Sequence, residues 1–472
     1  MAEDIGVRKV LIAGRGEIAV RIARACRDEG LASVAVFADP VDRAGVHVLA
    51  ADLAVPLAGH TPAQTYLNPA AVLRAALACG ADVLHPGYGP LAESDGFAAA
   101  VLDAGLTWIG PPPAVIRRLS DKLSARLMAA QAGAPLLPGT SAPVPGPAAA
   151  RAFARQAGLP VAIKATRGGG GAGVAVAWSE EDIPAAYAHA MRAAAAHGDG
   201  QPACFAERHL EHARHLETQC LADSDGNVAV ISTRDCSVQR RHQKIAEEAP
   251  APFLPDGTEA QLRATSKALL RAAAYVGAAT CEFLLGPDGT LAFLEINPRL
   301  AMAHPVSEEV AGLDLVRETF RLAAGEPLGY GDRPARGHAI QFRVYAEDPG
   351  RGFAPVPGTL RDWRLPSGPG VRIDPAAGPG SVIVPVFGTL LAKLTVTGIS
   401  RQQALERARR ALGEFEVSGI VTNLPFYRKL VLDEEFAPPE PGRPFAVHTG
   451  WADARWGSSV PAPATPCTPS AR

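Results

Sequence analysis

Two β-rich runs, Ala279-Thr280-Cys281-Glu282-Phe283-Leu284-Leu285 and Leu291-Ala292-Phe293-Leu294-Glu295-Ile296, flank the turn signal Gly286-Pro287-Asp288-Gly289. The pattern predicts a hairpin, because β-favouring runs bounded by Gly, Pro and Asp pair across the turn. Glu282 and Glu295 then stand on neighbouring strands, with Asn297 close behind. Two carboxylates and an amide converging on one point suit a hard Mg2+ ion, which takes oxygen ligands and keeps substrate phosphates in its shell. Arg299, just beyond, can hold an anion with its planar fork. The alternative is a surface hairpin with solvated acids.

A chain of 472 residues has room for about three domains with substantial cores. The net charge of −2, without a basic block, argues against an electrostatic nucleic-acid surface. Its seven cysteines are scattered, with no CxxC pair, which predicts reduced thiols in a cytoplasmic protein. No signal peptide is expected at the start. The uncharged stretch from Pro375 to Ala392 carries three Gly and three Pro, so it reads as strands and turns, not as a membrane span.

Of the 46 basic residues only seven are lysine: 9, 122, 164, 244, 267, 393 and 429. A compact ammonium that meets phosphate oxygens as a point charge is not freely replaced by a guanidinium. Lys122, Lys164 and Lys244 each lie in a polar, motif-like segment, whereas Lys267 reads as an ordinary helix-surface residue.

Lys9 to Ala19 is a strand, a Gly turn and a helix start, and Leu31 to Asp39 returns as a strand. This GxGxxA pattern with Asp39 downstream is similar to a dinucleotide fingerprint, a weak signal alone. Alternating strands and helices continue to about residue 116. Leu159 to Lys164 then reads as a strand entering Arg167-Gly168-Gly169-Gly170-Gly171-Ala172-Gly173. Four consecutive glycines make a loop whose bare N–H groups can fold over phosphates, although no Lys-Ser/Thr follows as in a Walker A loop. The other reading is a mobile linker. Arg401 to Arg410 reads as an amphipathic surface helix with its charged face outward.

Lys164 with its Gly loop, Glu207-Arg208-His209-Leu210, Arg214-His215-Leu216-Glu217, Arg234 to Lys244, Glu247 to Pro252 and the Glu282/Glu295 hairpin together resemble the ATP-grasp core of biotin carboxylases. Gly14 to Ala19 and His85-Pro86-Gly87-Tyr88-Gly89 resemble that family's N-terminal domain. His338 to Arg343 and Ala346-Glu347-Asp348-Pro349 resemble its C-terminal domain. The resemblance implies an α/β fold in three parts: a Rossmann-like domain over 1–116, an ATP-grasp domain over 117–333 with a mobile lid at about 137–206, and a C-terminal α+β domain over 334–448. A disordered tail is expected over 449–472.

Residue by residue, the resemblance implies that Lys122, Lys164 and the loop Gly168, Gly169, Gly170 and Gly171 hold ATP phosphates. Glu207 and Leu210 take the adenine, and His215, Gln239 and His242 the ribose and phosphate region. Glu282, Glu295 and Asn297 organise Mg2+, or Mn2+ in its place. Lys244 and Arg299 bind bicarbonate, and Arg343 stabilises the enolate of biotin. The implied reaction is ATP-dependent carboxylation through carboxyphosphate, with biotin as a carrier-bound substrate or another amine as acceptor. No Met-Lys-Met biotinylation motif is present, so a separate carrier protein and a carboxyltransferase are the expected partners. A homodimer is the family's usual state.

The chain also departs from that family. Where the family reads Arg-Ile/Leu-Gln-Val-Glu-His, with the Glu as general base, this chain has Arg299-Leu300-Ala301-Met302-Ala303-His304. Alanine cannot accept a proton. Val386-Phe387-Gly388-Thr389-Leu390 replaces a Tyr-Tyr-Asp-Ser-Met segment, Ala172 a basic residue, and Thr233 a frequent Glu. His304 takes a structural reading, because the family has the same His without using it as the base. Two alternatives follow: an ATP-grasp ligase joining another carboxylate to an amine, and a nucleotide-binding subunit with little catalysis.

Overall fold

Lys9–Ile12 is the central strand of a five-stranded parallel sheet, ordered Leu53–Ala58, Ala32–Asp39, Lys9–Ile12, Val83–His85, Thr107–Trp108. Parallel neighbours need crossovers, and the helices Glu17–Asp28, Pro69–Ala78 and Asp95–Asp103 supply helical ones. The computed structural model describes residues 8–457 apart from 169, 170, 172, 197–200 and 439–444. The glycine turn after the first strand serves packing between parts of the chain. Gly16 has φ +66°, and a Cβ there would lie 3.3 Å from the Ala376 side chain. Arg15 binds Asp42 at 2.8 Å and the Phe387 carbonyl at 2.7 Å, while Asp39 is taken by Arg43 at 2.8 Å. The dinucleotide-like pattern is therefore engaged by protein groups.

A second, three-stranded antiparallel sheet is ordered Val174–Ala177, Val161–Ala165, Cys204–Arg208. The helices Pro147–Ala157 and Ile183–Ala196 pack on it through Ala150, Ala154, Ile183 and Ala190. The third sheet has eight strands, ordered Leu291–Asn297, Gly277–Leu285, Arg214–Ala222, Val228–Arg240, Gln243–Ala249, His338–Tyr345, Leu390–Gly398, Val371–Pro375. The expected hairpin is present, with Glu282 opposite Glu295. The sheet continues without a break past residues 333/334, because Gln243–Ala249 pairs with His338–Tyr345. The three-part α/β architecture is the one expected from the sequence. No described helix is long and apolar enough to cross a membrane.

Two expectations change. Within 449–472, Trp451–Trp456 is helical: Trp456 packs on Phe426 with ring centroids 5.0 Å apart, and Asp453 pairs with Arg240 at 2.8 Å. Residues 458–472 lie outside the described residues. The helix Arg401–Glu414 is amphipathic as expected, burying Ala404, Leu405, Ala408, Ala411 and Leu412, but its first charge is not solvated. Arg401 bonds buried Glu248 at 2.7 Å and stacks within 5.3 Å of the Phe253, Phe436 and Phe445 rings. Arginine and aromatic residues far apart in sequence converge there, which helical periodicity alone does not reveal.

Burial pushes the Glu248 carboxyl up, but Arg401 and His338 outweigh it and hold it at about 2, below its ordinary 4.5. Its ionic stabilisation is complete above about pH 4.5 and is lost as the pH falls toward 2. Arg401→Leu is expected to cost about 3 kcal/mol near neutrality. Urea melts should show that deficit shrinking at about pH 4, as the stranded carboxyl takes a proton.

Candidate functional site

Four charged residues stand in register across four neighbouring strands: Arg234 opposite Glu217, Glu217 opposite Glu282, Glu282 opposite Glu295. Register partners share one sheet face, so three carboxylates line up side by side. Such a row is tolerable when buried only if each member is compensated. Arg234, fully buried, donates to Glu217 at 2.8 and 2.9 Å and to Gln219 and Ser307. Lys244 spans Glu217 and Glu282, reaching Glu282 Oε1 at 2.7 Å. Lys122 pairs with Glu295. Its helix Lys122–Gln131 is started by Asp121, whose side chain caps the Ser124 N–H at 2.7 Å.

His215 Nε2 lies 2.7 Å from Glu282 Oε2, and Gln239 Nε2 lies 2.9 Å from His215 Nδ1. The Asn297 amide donates to Glu282 Oε1 at 2.5 Å and accepts from Arg299 at 3.2 Å. Among the described residues, His215, Glu217 and Glu282 bring one donor atom each within 4.8 Å of one another. With Glu295 and the Asn297 amide they form an oxygen-rich donor set that fits a hard divalent cation. Burial opposes ionisation of Glu217, yet Lys244 and Arg234 hold its carboxyl low; Lys244 and His215 do the same for Glu282. Glu217 and Glu282 in turn raise Lys244 despite its burial.

A cavity of about 630 Å3 opens over this row. Lys122, Lys164, Gly168, Gly171, Leu210, His215, Gln239, His242, Lys244, Glu282, Glu295, Asn297, Arg299 and Arg343 all line it, as do Ala301, Met302 and Ala303. Gly171 has φ +76°, and a Cβ there would stand 2.7 Å from His242 Cβ, so the loop approaches that histidine as only glycine allows. Gly169, Gly170 and Ala172 lie outside the described residues. Glu207 is set apart: it is buried, and its carboxylate is shared by Lys164 at 2.9 Å and Arg126 at 2.7 Å. Arg299 is held by Glu93 at 2.7 Å, and Arg343 by Glu247.

Arg126 and Glu93 were not among the residues expected from sequence, and each meets its partner across a long separation, 81 residues to Glu207 and 206 to Arg299; Glu247, like Glu217, was expected only as part of a segment. For Glu217, its position two residues after His215, on one strand face, was the available signal. Of the departures, Thr233 accepts the Ala251 N–H at 3.2 Å. His304 is fully buried, with Nδ1 2.8 Å from the Ala301 carbonyl oxygen, and does not line the cavity. That placement fits a structural role. The described cysteines, Cys26, Cys79, Cys204, Cys220, Cys236 and Cys281, are free.

Three family models match the chain: "Biotin carboxylase, N-terminal domain" over residues 6–116, "Carbamoyl-phosphate synthase L chain, ATP binding domain" over 121–330, and "Biotin carboxylase C-terminal domain" over 341–451. The biotin-dependent acyl-coenzyme A carboxylase alpha3 subunit of Mycobacterium leprae is 50% identical over 96% of this chain and 75% of its own length. The biotin carboxylase of Pseudomonas aeruginosa is 41% identical over 91% of this chain and 96% of its own. Among solved structures, the biotin carboxylase domain dimer of Hydrogenobacter thermophilus 2-oxoglutarate carboxylase, in complex with MgADP, ADP and bicarbonate, aligns with a TM-score of 0.90 at 36% identity, covering 95% of this chain and 97% of that one.

The carboxylate row makes a direct prediction. Lys244→Met removes the charge shared by Glu217 and Glu282, so their carboxyls should bind protons more readily. In variant-minus-native infrared difference spectra an additional protonated-carboxyl C=O band should appear at about pH 5, beyond that of carboxyls such as Glu347, which burial pushes up to about 7 in both proteins. Identical titrations would show that Lys244 does not set the charge of the row.

Proposed function

We propose, from the premise that this chain belongs to the biotin carboxylase family, that it is an ATP-grasp ligase using MgATP to activate bicarbonate as carboxyphosphate for transfer to an N-nucleophile, biotin on a carrier protein. The observation that carries this reading is the compensated row Glu217, Glu282 and Glu295, meeting Lys122, Lys244, Arg299 and Arg343 in one cavity. Phosphoryl transfer asks the protein mainly for positioning and charge neutralisation.

In this reading Lys122, Lys164 and the Gly168–Gly171 loop take the phosphates, Leu210 and the Glu207 segment the adenine, and His215, Gln239 and His242 the ribose and phosphate region. Glu282, Glu295 and Asn297 hold Mg2+ or Mn2+, which supplies charge neutralisation when bound. Lys122 and Lys164, now satisfied by Glu295 and Glu207, would exchange those partners for phosphate oxygens. Lys244 and Arg299 hold bicarbonate, and Arg343 faces the biotin enolate. A carrier protein and a carboxyltransferase are the partners, in a cytoplasmic homodimer.

Ala303 occupies the place of the general base. A positioned base contributes about 10²–10⁴-fold, so bicarbonate- and biotin-dependent turnover should be slow in the native chain. A second reading rests on Ala301 and Ala303 lining the cavity beside Arg299, with side chains that end at Cβ. There, a carboxylate larger than bicarbonate is the one activated.

Calorimetry should show MgATP binding, weakened about tenfold or more by Lys164→Ala, the scale of one charge-assisted hydrogen bond. Binding of NAD without MgATP would defeat the reading. Ala303→Glu should raise bicarbonate- and biotin-dependent ADP release by about 10²-fold or more. If that variant gains nothing, while a larger carboxylic acid drives ADP release in the native protein, the second reading holds instead.

A further inference from the structure

Lys393 belongs to none of the segments that point to nucleotide chemistry, yet it is one of the seven lysines and is fully buried. On the eight-stranded sheet it is in register with Arg343 on one side and Asp374 on the other, so its side chain shares the face that carries Arg343. Its Nζ donates to the Met302 carbonyl at 3.3 Å and lies 3.6 Å from Glu17 Oε1. It also stands 5.8 Å from the Tyr88 ring centroid. Glu17 opens the first helix of the N-terminal part, and Met302 sits between the two alanines. One ammonium thus joins all three parts of the chain.

The residues around it show how much depends on that ammonium. Glu17 Oε1 is buried and has no hydrogen-bond partner, and burial pushes its carboxyl up while Lys393 pulls it down. Ala301 and Ala303 carry no polar side-chain atom with which the segment could be tethered. The Ala301 carbonyl is held by His304, and the Met302 carbonyl by Lys393. Tyr88, Ala301, Met302, Ala303 and Arg343 all face the cavity.

We propose that Lys393 is a positioning residue for the acceptor side of the cavity: through the Met302 carbonyl it holds the Arg299–Ala303 wall at a fixed distance from Arg343, and so limits the size of the carboxylate that fits between them. This rests on the reading that Arg299 and Arg343 flank the acceptor site. A wall displaced by about 1 Å costs about 10²-fold in reaction rate, whereas the nucleotide end, held by Lys122 and Lys164, is untouched.

The test is Lys393→Met in the full chain, with two readouts. Hydrogen–deuterium exchange of the peptide spanning 299–304 should accelerate, with exchange around Lys164 unchanged. The bicarbonate KM should rise about tenfold or more, the scale of a lost charge-assisted hydrogen bond, while MgATP affinity stays within about twofold. Unchanged exchange in 299–304, or equal losses for bicarbonate and MgATP, overturns the proposal. If Lys393→Met does not fold, Glu17→Gln replaces it: faster exchange in 299–304 supports the proposal and unchanged exchange overturns it. Absence of bicarbonate-dependent turnover in the native protein counts against the carboxylase reading alone, because the exchange measurement still decides the role of Lys393.

Discussion

Three carboxylates on adjacent strands, all in or beside a buried cavity, would repel one another and unfold the sheet if left unpaired. The structure depends on the cations that answer them. Arg234 comes from the next strand, Lys122 from the start of a helix, and Lys244 from two strands beyond Glu217. Each cation fixes one element against the row, so the electrostatic requirement of the site also organises the fold. In the proposed reading Lys122 is released to phosphate oxygens and Lys244 to bicarbonate on ligand binding. Arg234, with both Glu217 and Gln219 as partners, is positioned to stay.

What could be read from sequence was local. The hairpin and the strand into the Gly loop follow from turn residues and β-favouring runs. The lysine count pointed to Lys122, Lys164 and Lys244 because each lies in a motif-like segment, Lys164 directly before the Gly loop, and it passed over Lys393 because its strand carries no such motif. Glu93 and Arg299 are separated by 206 residues, and Lys122 and Glu295 by 173. No periodicity joins such pairs. The same holds for Arg401, whose aromatic partners arrive from elsewhere in the chain, and for Trp451–Trp456, where low-complexity flanks hid a short helix anchored by Asp453 and Trp456.

The departures from the family pattern fall on groups whose loss the structure absorbs in different ways. Arg15, which donates to the Phe387 carbonyl, finds its carboxylate in Asp42 within its own part of the chain. Thr233 meets a backbone N–H, where no charge is needed. Ala301 and Ala303 are different, because no side chain replaces what they lack and the space passes to the cavity. Substitutions at packing sites thus meet partners nearby, whereas Ala301 and Ala303 leave the cavity wall beside Arg299 without a polar side-chain atom.

The eight-stranded sheet carries both Glu282 and Arg343, whereas Lys164 sits on a separate three-stranded sheet that shares no strand with it. Neighbouring strands are about 4.8 Å apart, and Glu282 lies three strand steps from Lys244, yet their side chains touch at 2.7 Å. Lys244 therefore reaches across the two intervening strands, over the sheet face, to meet Glu282. Glu282 and Arg343 are thus set into one hydrogen-bonded sheet, and Lys164 reaches the cavity from the separate one. The separation of Glu282 from Arg343 is therefore fixed by strand pairing, through Gln243–Ala249 and His338–Tyr345, and not by how two domains dock.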